Sequence, residues 1–445
     1  MSGAALLPRI GIFSSGQRPF LKIVNYRSSL CMVKNTSVSS RRPFGLRASW
    51  SPIFALIGVC SYIGNFALPL AYQWDLPLIA LAVISVLAAL FSFPKGSTFS
   101  TPLVLPVMLF LIATALSILT SADLGRSLRL SLPLLPAVLL FLLIASYFDG
   151  IRDTRLLYFA FSVVGLGLAI MLLRVAWTNG RAEPESWVAA VGSPILVVKN
   201  DVTFLAVLAP LSLALVLRKF RSVIGVTAAL SILLSTLVVG FYQSRVAMLT
   251  MVASIACTAG FLRPRLGWVL GLTSLTVVLL VDALLGFPLV TKFVLRWDGS
   301  GRIPLWLAAA AMFVDAPLLG HGPHTFVLFY MSYLQNLNLP TWLFTESRLV
   351  PWAHNLYLEV LAEQGIVGLA ALGYLLARGL SQAWRIQRTA NSEARIFAAA
   401  ALGGLLGICL AGMIELSLLR HWVVVTIFVF LGVIAKLSFS QTNGE

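Results

Sequence analysis

The chain has 445 residues, 59% of them hydrophobic and only 11% charged, which leaves too little polar surface to cover a water-soluble globule of that size. Its formal charge of +16 forms no basic face, because the bases sit in short segments between long apolar runs; this is the pattern of membrane topology and speaks against a nucleic-acid partner. Cys31, Cys60, Cys257 and Cys409 are scattered singly, so neither a disulfide framework nor a metal-ligand spacing follows from them.

The first fifty residues carry Arg9, Arg18, Lys22, Arg27, Lys34, Arg41, Arg42 and Arg47 and no acid, and Pro8 and Arg9 interrupt the only apolar stretch. This excludes a cleavable secretory signal and leaves a disordered basic tail over 1–50, an extension ahead of a true start at Met32, or an organelle transit peptide. Apolar runs long enough to cross about 30 Å of hydrocarbon as helix follow at about 52–72, 77–93, 102–120, 129–148, 155–175, 201–217, 222–241, 246–262, 266–286, 365–378, 396–416 and 421–436. The fold class is therefore all-α and polytopic, with about twelve spans: nine within 51–286 and three within 365–436, ahead of a short tail at 437–445. Only Gln243, Ser244 and Arg245 separate the seventh and eighth runs, which predicts a tight helical hairpin.

The inner loops Arg218-Lys-Phe-Arg221, Arg263-Pro-Arg265 and Arg378 to Arg395 place both termini in the cytoplasm by the positive-inside rule. All four histidines, His321, His324, His354 and His421, and about twelve of the 16 acids then fall on the outer face. So does the longest non-membrane segment, 287–364, which is long enough to hold helices and function of its own.

Three features of that face could carry chemistry. Asp298-Gly-Ser-Gly-Arg302-Ile-Pro304 reads as a turn followed by a helix to about Asp315; a guanidinium and free backbone N–H groups meeting there would hold an anion such as phosphate, or the arginine simply reaches lipid headgroups. His321 and His324 stand in the turn-rich stretch Pro317-Leu-Leu-Gly320-His321-Gly322-Pro323-His324, where no third metal ligand is spaced to join them and structural roles are favoured. In Pro351-Trp352-Ala353-His354-Asn355-Leu356-Tyr357-Leu358-Glu359, Pro351 predicts a helix beginning near Trp352 or Ala353, with His354 in its first turn. The positive end of the helix dipole would there favour a neutral imidazole, suited to general-base work on a hydroxyl or else to a capping role. Lys199-Asn200-Asp201 at the mouth of the sixth span, Arg245 in the short turn and Asp282 near the end of the ninth span are either boundary charges or part of the same site.

His354-Asn355-Leu356-Tyr357-Leu358-Glu359 followed by Glu363-Gln364-Gly365, with Arg302-x-x-x-Trp306, Asp315-x-Pro317-Leu-Leu-Gly320-x-Gly322 and Gln243-Ser244-Arg245 upstream, resembles the signature of the O-antigen ligase and polymerase family. The resemblance covers about 120 residues in the expected order. It implies a glycosyltransferase-C-like membrane fold in the bacterial inner membrane. The implied activity is metal-independent and needs no cofactor: a glycan passes from undecaprenyl pyrophosphate to an acceptor hydroxyl at the periplasmic face, the acceptor being lipid A core, another glycan or a protein. His354 would be the catalytic base and Arg302 and Arg245 would bind the pyrophosphate, with Arg348 in reserve and Asn355, Glu359, Glu363 and Asn200 in support. A twelve-span layout is shared with transporters, but these place charges near span centres and repeat their halves; here the span centres are almost free of charge and no repeat is visible.

Overall fold

A computed structural model describes residues 80, 83–85, 87, 101–178, 198–286, 289–291, 301–337, 339–340, 343, 350 and 352–442, with the backbone alone for 198–201, 392 and 439–442. The basic segment 1–50 and the first expected span lie outside the described residues, as does the second apart from five helical positions. The remaining ten spans are all helical. They are α1 (Val104–Leu119), α2 and α3 (Leu124–Ser131 and Leu134–Tyr147), α4 (Gly150–Thr178), α5 (Val198–Lys219), α6 (Val223–Phe241), α7 (Arg245–Leu262), α8 (Pro264–Leu284), α11 (Leu356–Thr389), α12 (Ser392–Gly412) and α13 (His421–Thr442). Two shorter helices, α9 (Ile303–Asp315) and α10 (Phe326–Asn336), occupy the expected outer loop. Nine of the described stretches, α2 and α3 counted as one, are long and apolar enough to cross a membrane, so the chain is an all-α polytopic membrane protein.

Local chemistry sets the helix ends. Asp123, Ser222, Ser244, Asn355 and Asn391 each precede a helix and accept a backbone N–H from its first turn, satisfying donors that have no intrahelical partner. Pro133 lacks an N–H and its ring opposes continuation, so the expected span 129–148 is divided into α2 and α3.

Two expectations need correction. The Gln243-Ser244-Arg245 connection is short, but α6 and α7 barely touch; α6 packs on α4 and α5, while α7 packs on α8, α12 and α5. Gln243 takes a left-handed φ of 53°, which turns the chain so that the two helices diverge. The tenth span is not short: α11 runs for 34 residues from the histidine motif into the apolar run, bent at Gly365.

The core lies among α5, α12 and α13, the most buried of the spans. Gly403 and Gly407 of α12 face Thr258, Ser254 and Thr250 of α7; small residues allow the two backbones to approach closely where lipid supplies no hydrophobic drive between helices. That register makes α7 and α12 antiparallel, with Gly403 opposite Ser254 and Thr258 and Gly407 opposite Thr250 and Ser254. Arg245 therefore lies at the end of the bundle where α12 finishes. At the opposite end Arg218 pairs with Glu393 at 2.6 Å and the Gln387 amide donates to the Phe261 carbonyl. Reporter fusions at Phe220 and Arg388 are expected to score cytoplasmic and a fusion at Asn336 periplasmic; the reverse pattern would turn the histidine end toward the cytoplasm and sink the orientation read from the loop charges.

Candidate active site

Two motif segments interlock through their backbones. His321 and Gly322 donate N–H bonds to the Ala362 and Glu363 carbonyls at 3.2 and 2.8 Å, and Ile366 and Val367 donate to those of Pro317 and Leu318 at 2.9 and 3.2 Å. Gly365 has φ 62° and ψ −165°, a conformation open essentially to glycine alone. Gly320 (φ 67°) and Gly365 also sit where a side chain has no room: a Cβ on either would meet the facing backbone at 2.3 Å. The glycines of both motifs thus let one strand of backbone lie against the broken helix. The Ser117 hydroxyl from α1 closes the joint by donating to the Leu319 carbonyl at 2.8 Å. Glu363 accepts the N–H groups of His324 and Phe326 at 2.7 and 2.9 Å, placing a carboxylate at the start of α10, where the helix dipole favours it.

This joint fixes the position of α9, and with it Arg302. The expected helix from Arg302 to Asp315 is present with Pro304 in its first turn, and the guanidinium is already paired with a carboxylate. Its Nη2 donates to Glu415 Oε2 at 2.7 Å. Glu415 was expected at the end of a span; α12 stops at Gly412, and the carboxylate lies in the turn that follows. Its other oxygen is 3.6 Å from His354 Nδ1. Burial raises the Glu415 carboxyl, but the charged groups around it, the Arg302 and Arg420 guanidiniums among them, outweigh that and hold it below the usual range.

His354 is not in a first helical turn. Asn355 is the better cap, since its side chain accepts the Tyr357 and Leu358 N–H groups at 3.0 and 3.1 Å, so the helix starts at Leu356 and His354 precedes the cap with a left-handed φ of 52°. The expected place in the first turn, and the dipole argument built on it, therefore do not hold. Trp352 Nε1 donates to His354 Nδ1 at 3.2 Å, and the Arg420 guanidinium lies over the Trp352 ring at 4.3 Å, a cation–π contact. The Asn355 amide also donates to the Met413 carbonyl at 3.0 Å, tying the motif to the turn that carries Glu415.

Of the other expected residues, Glu359 is buried and accepts a hydrogen bond from Ser417, again in the α12–α13 turn, while Glu363 is a structural clamp. Arg245 is the first residue of α7, at the same end of the bundle. Asn200 lies in the first turn of α5 with only its backbone described, and Arg348 lies outside the described residues. Asp282 caps the next segment by accepting the Leu289 and Val290 N–H groups at 2.6 and 3.1 Å. His321 donates from Nε2 to the Met312 carbonyl at 3.1 Å. The His324 ring is lowered to about 3 by burial and by the neighbouring His421 and Arg126. Among the described residues no three His, Cys, Asp or Glu side chains gather as a metal site. Sequence reasoning missed Glu415 and Arg420; the signal was the charge of Glu415, Arg420 and His421 crowded at the outer end of two apolar runs.

Fold and site together define a multi-pass membrane protein with an arginine and a histidine on either side of one carboxylate at one end of its bundle. Residues 230–373 match the family model described as O-antigen ligase. The matched stretch begins within α6, runs past the bend of α11 and includes Arg245, Arg302 and His354; Glu415 and Arg420 lie beyond it. No curated protein matches the chain. The match supports glycan transfer of the O-antigen ligase or polymerase type.

Proposed function

We propose that the protein takes a glycan from undecaprenyl pyrophosphate and joins it to an acceptor hydroxyl at the periplasmic face of the bacterial inner membrane, acting as the ligase that delivers O-antigen to lipid A core. The observation that carries this reading is the meeting of Arg302 and His354 at Glu415, 52 residues apart in sequence yet linked through one side chain. His354 takes the proton of the acceptor hydroxyl, whose oxygen forms the new bond to the sugar. The bond from the sugar to pyrophosphate breaks with its electron pair on the leaving oxygen, and Arg302, with Arg245 at the same end, stabilises the charge that develops. The reaction needs no metal or cofactor, because the leaving group is already a stabilised anion.

Ligation and polymerisation share this chemistry and differ in product. Deleting the gene is expected to leave long glycan chains on the lipid carrier, read by gel analysis of extracted lipid-linked and core-linked glycan. Single repeat units on the final acceptor would instead make the protein a polymerase.

A further inference from the structure

We propose that Glu415 is a placeholder for the donor's pyrophosphate: it holds Arg302 until that anion arrives, and only then orients His354 for proton abstraction. The inference rests on the transfer reading above and adds to it an order of events. Glu415, His354 and Arg302 are 12%, 25% and 30% exposed at their side chains, so the group is sheltered but reachable.

The hydrogen bonds fix the tautomer of the ring in this arrangement. An indole N–H can only donate, so the 3.2 Å bond from Trp352 Nε1 requires a lone pair on His354 Nδ1. The proton of the neutral ring is then on Nε2, the nitrogen left for a substrate, which consequently has no lone pair to offer. The 3.6 Å gap from Nδ1 to Glu415 Oε1 is too long for a hydrogen bond. As it stands, the ring is in the wrong tautomer for a base.

Pyrophosphate removes that block. Its oxygens match the planar guanidinium in two parallel hydrogen bonds and carry more charge than one carboxylate, so Arg302 moves from Glu415 to the donor. A sheltered carboxylate that loses one of its two guanidinium neighbours favours a replacement hydrogen-bond donor. His354 Nδ1, 3.6 Å from Oε1, can serve: the ring gives its Nε2 proton to water and takes one from water on Nδ1 as the gap closes by about 1 Å to ordinary hydrogen-bonding distance. Trp352 Nε1 releases Nδ1, and Nε2 gains the lone pair that accepts the acceptor's proton. After transfer the imidazolium keeps its Nδ1 hydrogen on Glu415 and returns the other proton to water. The base is armed only when the leaving group is bound, which limits futile reaction of the site before the donor is in place.

The test uses the full-length protein in detergent, labelled with 15N-histidine and titrated with inorganic pyrophosphate. The His354 signals are assigned by their absence in H354A. Pyrophosphate is expected to convert Nδ1 of His354 from unprotonated to protonated. In Glu415→Gln, pyrophosphate should bind about two- to fivefold tighter, as expected for release of a partly exposed ion pair, while His354 does not respond and kcat falls without a rise in donor KM. Glu415→Asp should restore part of the response. Pyrophosphate binding that leaves His354 unchanged overturns the placeholder but keeps Arg302 as the anion site. Weaker binding by Glu415→Gln likewise reduces Glu415 to a structural role. No pyrophosphate binding by the unmodified chain overturns both this inference and the transfer reading. The titration of the unmodified chain needs no variant, so a substituted chain that fails to fold does not shield the proposal.

Discussion

His354→Ala is expected to lower glycan transfer by about 10²- to 10⁴-fold, the usual effect of removing a general base, while the protein remains inserted and abundant. The side chain is only 25% exposed, yet it fills no core; it stands in a turn ahead of the cap, so its loss opens no cavity of the kind that unfolds a bundle. The left-handed φ of 52° strains alanine as it strains histidine, and asparagine tolerates it better. His354→Asn should therefore match the alanine variant in lost activity and equal the unmodified chain in abundance. The check pairs a transfer assay with an immunoblot of the membrane fraction. Near-normal transfer by a well-expressed variant would remove His354 from the mechanism.

Gly365→Ala is expected to be strongly destabilising. The backbone at φ 62° and ψ −165° costs a residue with a Cβ about 1–3 kcal/mol, and forcing extra volume into a packed joint costs about as much again. The added Cβ would stand 2.3 Å from the Leu318 carbonyl carbon, which is backbone and cannot swing away. Separating the two segments would release the hydrogen bonds from Ile366 and Val367 and free α9, so Arg302 would lose its place beside Glu415. Gly373 is the control, since nothing lies within 4 Å of a Cβ there and alanine in a helix interior is favoured over glycine. Thermal melting in detergent should drop sharply for Gly365→Ala and stay level or rise for Gly373→Ala. Equal melting of the two would show that the backbone joint contributes little.

The class of protein, the run of helices from residue 102 onward and the order of the motifs were legible in the sequence because each depends on local pattern. Apolar length predicts a span whatever it packs against, Pro304 marks a helix start through its fixed φ and missing N–H, and the motif order from Arg302 to Gly365 can be read along the chain. Helix starts set by competing caps were less legible: Pro351 and Asn355 both favour an entry, and only the hydrogen bonds to Tyr357 and Leu358 decide between them. Tertiary structure alone decided what the arginine and histidine face. Glu415 is 113 residues from Arg302 along the chain, and an acid at the end of an apolar run reads the same whether it meets headgroups, water or a guanidinium. The glycines show the same division. Their positions in the motifs were visible, but their purpose was not, because a positive φ and the 2.3 Å approach of a second backbone arise only when segments distant in sequence are brought together.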